Sequence, residues 1–302
     1  MSTTAPVAPA KEKRRTWRRR LPRFAARAAL VYAGVLALLL FFENRLVFRP
    51  TPAAAYWHQP PNDRVRDVAL RAADGTALHT WWCPPEGWQP EQGAVLFFHG
   101  TGGNISHCSR AMTRWQQGPL RQAVFLVDYP GYGRSEGRPS EAGCYAAADA
   151  AYDWLTGELG VPPRRVLIYG ESLGGGVAVE LAARREHRAL ILVKTFTSMP
   201  DMAASLFPWL PGRWLVRNRF DNLTRIGACR RPVFIAHGTA DDLVPFAQGQ
   251  RLFAAANEPK QFLPMEGLTH QDAPAPEFDE ALARFLAAAE SSGRGDNGRP
   301  GE

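Results

Sequence analysis

One stretch of this chain admits few folds. A short apolar run at residues 166–169 leads into Gly170-Glu171-Ser172-Leu173-Gly174-Gly175-Gly176, and a helical pattern begins at residue 173. G-x-S-x-G alone is a modest signal. Strand, sharp turn and helix in that order raise it, because this is how a serine is held in strained φ/ψ with its hydroxyl pointing away from a sheet. Gly170 and Gly174 lack the side chains that would clash in such a turn. The plainer reading of the same letters is a glycine-rich helix start without chemistry.

The surrounding pattern suits a strand inside a mostly parallel sheet. Residues 65–70 and 77–82 flank Asp74-Gly75, a hairpin signal. Short apolar runs at 94–98, 123–127, 190–193, 233–236 and 261–263 are interspersed with helical stretches at 141–159, 173–185, 246–257 and 278–289. This βαβ alternation after a leading hairpin predicts the α/β class with a doubly wound sheet. About forty residues between the runs at 190 and 233 break the rhythm; a loop that long without structure is improbable, so a small helical cap is expected at about 199–230. Its apolar residues include Leu206, Phe207, Trp209, Leu210 and Trp214. They read equally as core packing or as a surface that accepts an acyl chain.

A serine hydroxyl near neutral pH needs a base and an orienting acid. In α/β-hydrolase order these follow the serine as acid, then histidine. The run at 233–236 ends in His237-Gly238-Thr239-Ala240-Asp241-Asp242, and the run at 261–263 leads to Gly267-Leu268-Thr269-His270. Both loops leave the sheet edge where α/β proteins bind ligands. Of the seven histidines, His270 alone lies after the last strand and before the terminal helix. His99 and His237 each precede a glycine at a strand end and read as loop-holding residues; His58, His79, His107 and His187 have no matching context. Asp242 rivals Asp241, which spacing favours because the acid must reach the far imidazole nitrogen. His99-Gly100-Thr101-Gly102-Gly103-Asn104 forms a glycine-rich turn after the third strand. Backbone N–H groups of Thr101 and Leu173 are the expected oxyanion donors. This chemistry calls for no metal or organic cofactor.

Taken in order, FFHGTGGNISH, DYPGYGRSEGRPSE, YGESLGGG, HGTADDLVPF and GLTH resemble the bud-emergence-protein-like α/β-hydrolases over about residues 45–290. That group includes membrane-anchored serine hydrolases and is similar to eukaryotic protein depalmitoylases. The resemblance implies the α/β-hydrolase fold and a serine hydrolase acting on an ester or thioester. It also implies that the acid is the first Asp of HG-x-x-D-x-x-V-P, Asp241. Thr101 stands where many relatives have Asn; since the family role is a backbone N–H, the oxyanion site is expected to survive. Residues 128–133 and Glu171 match family motifs as turn and elbow residues. The alternatives are a serine peptidase of the same fold and a membrane-tethered, non-catalytic scaffold, since fold alone does not establish activity.

The net charge of +7 suggests a polyanion binder until it is located. Residues 1–27 hold nine Lys and Arg against Glu12 alone, leaving the rest of the chain near neutral and arguing against a nucleic-acid face. Residues 28–42 then run without a charge, somewhat short of a membrane span unless Leu46, Val47 and Phe48 extend it. An uncleaved signal anchor fits better than a cleaved peptide, because the nearest small residues, at 53–55, follow long after the apolar run. A soluble core helix fits least, since the run lacks amphipathic period, and Arg14-Arg15 leaves a twin-arginine signal as a minor option. The expected organisation is a cytoplasmic basic tail at 1–27, an anchor at 28–48, an extracytoplasmic hydrolase domain at 49–290 and a disordered end at 291–302. The partners expected are the membrane and a small or lipid-like acyl ester. Four scattered cysteines without Cys-x-x-Cys spacing read as buried thiols, with a disulfide open in an exported domain.

Overall fold

The apolar runs become the strands of one eight-stranded sheet in the computed structural model, which describes residues 12–209, 211 and 215–295. The strands are β1 (Arg66–Arg71), β2 (Ala77–Cys83), β3 (Ala94–Phe98), β4 (Ala123–Val127), β5 (Val166–Glu171), β6 (Ala189–Val193), β7 (Val233–Gly238) and β8 (Lys260–Met265). Their spatial order is β8-β7-β6-β5-β3-β4-β2-β1. The six strands from β8 to β4 pair in parallel; β2 and β1 add antiparallel, as the hairpin signal predicted. From β3 the chain steps to β4 on one side and then returns to β5 on the other. That reversal places a crevice at the C-terminal ends of β3 and β5.

Strands buried on both faces read as continuous apolar runs, and β3, β4 and β6 are buried at every position. Alternate residues feed two cores: Leu96 and Phe125 into one, Val95 and Leu126 into the other. The N-terminal unit, Met1–Glu43, is described by α1 (Glu12–Phe41). In the second unit, α2 (Ser109–Gln117) and α7 (Glu277–Gly295) cover one face through Met112, Trp115, Phe278 and Leu282. Helices α3 (Glu141–Asp153), α4 (Leu173–Ala182) and α6 (Phe246–Ala255) cover the other through Ala147, Val177 and Leu252.

Two boundaries differ from the sequence reading. Asn44 to Phe48, read as an extension of the anchor, belong to the second unit, Asn44–Glu302. Phe48 is buried there against Phe220, and Asn44 bonds the Pro139 carbonyl and Asn218. At the other end α7 continues to Gly295, into the segment expected to be disordered; residues 296–302 lie outside the described residues. In the expected cap, α5 (Met199–Leu206) starts from Ser198, whose hydroxyl accepts the Asp201 N–H, and helical turns follow at Asn222–Arg225 and Ile226–Ala228. Leu210 and Trp214 lie outside the described residues. The returning end is clamped to α3, where the Glu141 carboxylate accepts the Arg219 and Phe220 N–H groups.

In α1, Phe24–Phe41 is an apolar window long enough by length and composition to cross a membrane, with none of its side chains buried. The cysteines are free thiols, Cys83, Cys144 and Cys229 buried and Cys108 partly so.

Candidate active site

Ser172 occupies the single residue between β5 and α4, at φ +52° and ψ −118°. The turn closes because its neighbours lack side chains. A Cβ on Gly170 would lie 2.4 Å from the Gly174 carbonyl oxygen, and one on Gly174 only 2.0 Å from that of Phe98. The serine backbone is fixed on both sides: its N–H donates to the Val193 carbonyl at 3.0 Å, and its carbonyl accepts the Thr195 hydroxyl at 2.8 Å. What remains is the hydroxyl, at the crevice.

The loops after β7 and β8 lie against each other. Thr239 N–H donates to the Met265 carbonyl at 3.0 Å and Ala240 N–H to that of Leu268 at 3.2 Å. A Cβ on Gly238 would stand 2.2 Å from the Leu268 oxygen, so only glycine permits this approach. The result brings together the three side chains singled out from sequence. His270 Nε2 is 3.1 Å from Ser172 Oγ, and His270 Nδ1 is 2.9 and 3.1 Å from the two Asp241 oxygens. A carboxylate only accepts, so Nδ1 carries the proton and Nε2 is free to accept from the serine.

The Asp241 side chain is wholly buried. Burial by itself raises its carboxyl pKa. Hydrogen bonds from His237, His270 and the Val244 N–H oppose this and hold it well below the usual carboxylate range. The Leu243 and Val244 N–H groups reach Oδ1 at 3.0 and 2.8 Å, and His237 Nε2 lies 3.3 Å from Oδ2. His237, read from sequence as a loop-holding residue, bonds the Val244 carbonyl at 2.9 Å and also faces the acid. Asp242 meets only the His270 backbone N–H, at 3.5 Å, and not its ring.

The β3 turn abuts the serine: a Cβ on Gly100 would be 3.5 Å from Ser172 Cβ. His99 Nδ1–H donates to the Gly100 carbonyl at 2.9 Å, and in a trans peptide the Thr101 N–H points the opposite way. The next carbonyl, that of Thr101, is held by the Tyr132 hydroxyl at 2.8 Å and the Arg49 N–H at 3.2 Å. Leu173 N–H, at the first helical position of α4, belongs to the donors a helix leaves without an internal acceptor. The other histidines are engaged elsewhere: His79 with Asp67, His107 with Asn104, and His187 with the Arg185 carbonyl. The His58 N–H donates to the Ser106 hydroxyl. Among the described residues, no three His, Cys, Asp or Glu side chains converge as a metal site.

A family model described as the alpha/beta hydrolase family matches residues 95–291. An uncharacterised protein of Mycobacterium tuberculosis is 38% identical over 85% of this chain and 92% of its own length. The alpha/beta hydrolase domain-containing protein WAV2 of Arabidopsis thaliana is 34% identical over 75% of this chain and 79% of its own. An esterase of Pyrococcus furiosus has the same fold, with a TM-score of 0.64 at 18% identity over 80% of this chain and 98% of that one. Because the family match runs from β3 into α7, and so takes in every strand end from which the crevice is built, the chain belongs to the alpha/beta hydrolase family.

Proposed function

We propose that this protein is a serine hydrolase that cleaves carboxylic esters or thioesters through an acyl-enzyme, within the membrane-anchored, bud-emergence-like branch of its family. The observation that carries the reading is His270, which contacts Ser172 through one ring nitrogen and Asp241 through the other. Ser172 Oγ attacks the substrate carbonyl while His270 Nε2 takes its proton; Asp241 holds the imidazole tautomer and stabilises the imidazolium. The N–H groups of Thr101 and Leu173 receive the oxyanion. His270 returns the proton to the leaving alcohol or thiol. Water, deprotonated by the same nitrogen, then attacks the acyl-serine and frees the acid. That the Pyrococcus furiosus neighbour is an esterase supports an ester rather than a peptide as the substrate class.

The test is labelling by a fluorophosphonate probe together with turnover of p-nitrophenyl esters. Ser172→Ala is expected to abolish labelling and lower turnover by at least about 1,000-fold. Labelling of that variant at the wild-type rate overturns the assignment.

A further inference from the structure

The proposed chemistry gives no task to the buried Lys194. The chain leaves β6 at Val193 and turns at once. Lys194 stands at φ +50°, in the left-handed region, which a side-chain-bearing residue occupies at a cost. Its side chain is wholly buried. Burying an ammonium is expensive unless acceptors surround it. Here Nζ donates to the backbone carbonyl of His270 at 3.2 Å and to that of Asp272. Burial lowers the Lys194 pKa, and the carboxylates of Glu171, Asp241 and Asp272 act in the opposite direction.

The backbone of this residue is tied in as firmly as its head group. Lys194 N–H donates to the Ala236 carbonyl of β7 at 2.9 Å, and the preceding carbonyl, that of Val193, accepts the Ser172 N–H. One residue thus touches the loop that carries His270, the strand that leads to Asp241 and, through its neighbour, the elbow serine. The rest of the His270 loop has other holds: the Asp272 carboxylate accepts the Thr269 N–H and hydroxyl at 2.7 Å each, the Ala240 N–H donates to the Leu268 carbonyl, and Arg114 of α2 donates to the Pro274 and Ala275 carbonyls at 2.7 Å each. Lys194 is what ties the two carbonyls at the histidine itself, those of His270 and Asp272, to the end of β6. A four-carbon stem reaches from β6, and two of its three donors serve two carbonyls at once.

We infer that Lys194 is a positioning residue for His270: by holding the His270 and Asp272 carbonyls it keeps Nε2 on the Ser172 hydroxyl. The inference rests on the serine hydrolase reading. A displacement of about 1 Å in a reacting group can cost about 100-fold in rate. Lys194→Met, which keeps the stem and loses the donors, is therefore expected to lower kcat about 10- to 100-fold, slow fluorophosphonate labelling in proportion and leave KM within about two-fold. Its melting temperature is expected to fall, because the His270 and Asp272 carbonyls lose their donor, so kcat is compared on folded protein. Lys194→Arg, which retains a cation and donors, should recover part of kcat. A lysine that merely supported the fold also lowers the melting temperature when replaced, but leaves the kcat of the folded variant unchanged. If wild-type protein is not labelled, the serine hydrolase reading itself fails. If wild type is labelled and a folded Lys194→Met turns over within about two-fold of it, the role given to Lys194 is overturned. Should the Met variant not fold, Lys194→Gln, polar but too short to span the gap, carries the same two outcomes.

Discussion

Asp241 and Asp242 are chemically identical neighbours at the end of β7, and what separates them is the surroundings of each carboxylate. The Asp241 side chain is buried, accepts two backbone N–H groups and meets the ring of His270; Asp242 meets a backbone N–H at the limit of hydrogen bonding. Asp241→Asn puts an amide where only an acceptor serves, and the imidazole then takes the wrong tautomer. On p-nitrophenyl acetate this variant is expected to lose about 1,000- to 10,000-fold in kcat, while Asp242→Asn stays within about three-fold. Equal losses at both positions would refute the assignment. At this scale sequence went far: strand context singled out Ser172 and His270, and the family pattern separated Asp241 from Asp242. It did not reach Lys194, because the direction of that side chain follows from a left-handed φ that spacing does not encode. Nor did it reach the second contact of His237, which depends on the loop folding the acid back over the strand end.

The connection from α4 to β6 offers a test at the scale of an element. His187 is buried there; its Nδ1–H donates to the Arg185 carbonyl at 2.8 Å, its Nε2 lies 3.5 Å from Cys229 Sγ, and its carbonyl accepts Arg231 Nε at 2.8 Å. Burial pushes its pKa down to about 4, and the bond to the Arg185 carbonyl opposes this only in part. The unfolded chain therefore takes a proton near pH 6.5, whereas the folded chain refuses it until about pH 4. Over that window the unfolded state binds more protons, so the contribution of His187 is intact above about 6.5 and is lost as pH falls towards 4. Melting temperature should decline across this range, and His187→Gln should flatten the decline; an unchanged slope in the variant would count against the buried neutral imidazole. Elements with strong periodic or continuous apolar signals were legible, including all the strands of the main sheet. Helix α2 was not, since in SRAMTRWQQ only Met112 and Trp115 are buried, too few to set a period. The wider turn at Trp154–Glu158 that ends α3 was likewise hidden, because its hydrogen-bond spacing changes without a change in composition.

For the whole molecule, what matters is where the proposed tether ends and the hydrolase-fold unit begins. The basic residues and apolar window of α1 are what an anchored protein uses for topology and contact with anionic headgroups, and the near-neutral remainder needs neither. Sequence placed the boundary after Phe48 because residues 46–48 are apolar, and apolarity does not distinguish lipid from core. The structure puts the boundary before Asn44. A chain starting at Asn44 is therefore expected to fold, leave the membrane fraction and keep the turnover of soluble esters shown by the full protein. A chain starting at Arg49 loses Phe48, which is 1% exposed, together with the Asn44 bonds. Removing a buried Phe costs about 3–5 kcal/mol, or roughly 10 °C in melting temperature for a domain of this size. Equal melting temperatures for the two truncations would return residues 44–48 to the tether. Full-length protein found in the soluble fraction would remove the anchor. In intact spheroplasts, added protease should digest the body while the basic tail is spared; a protected body would reverse the proposed orientation, placing the hydrolase on the cytoplasmic side with its tail on the other.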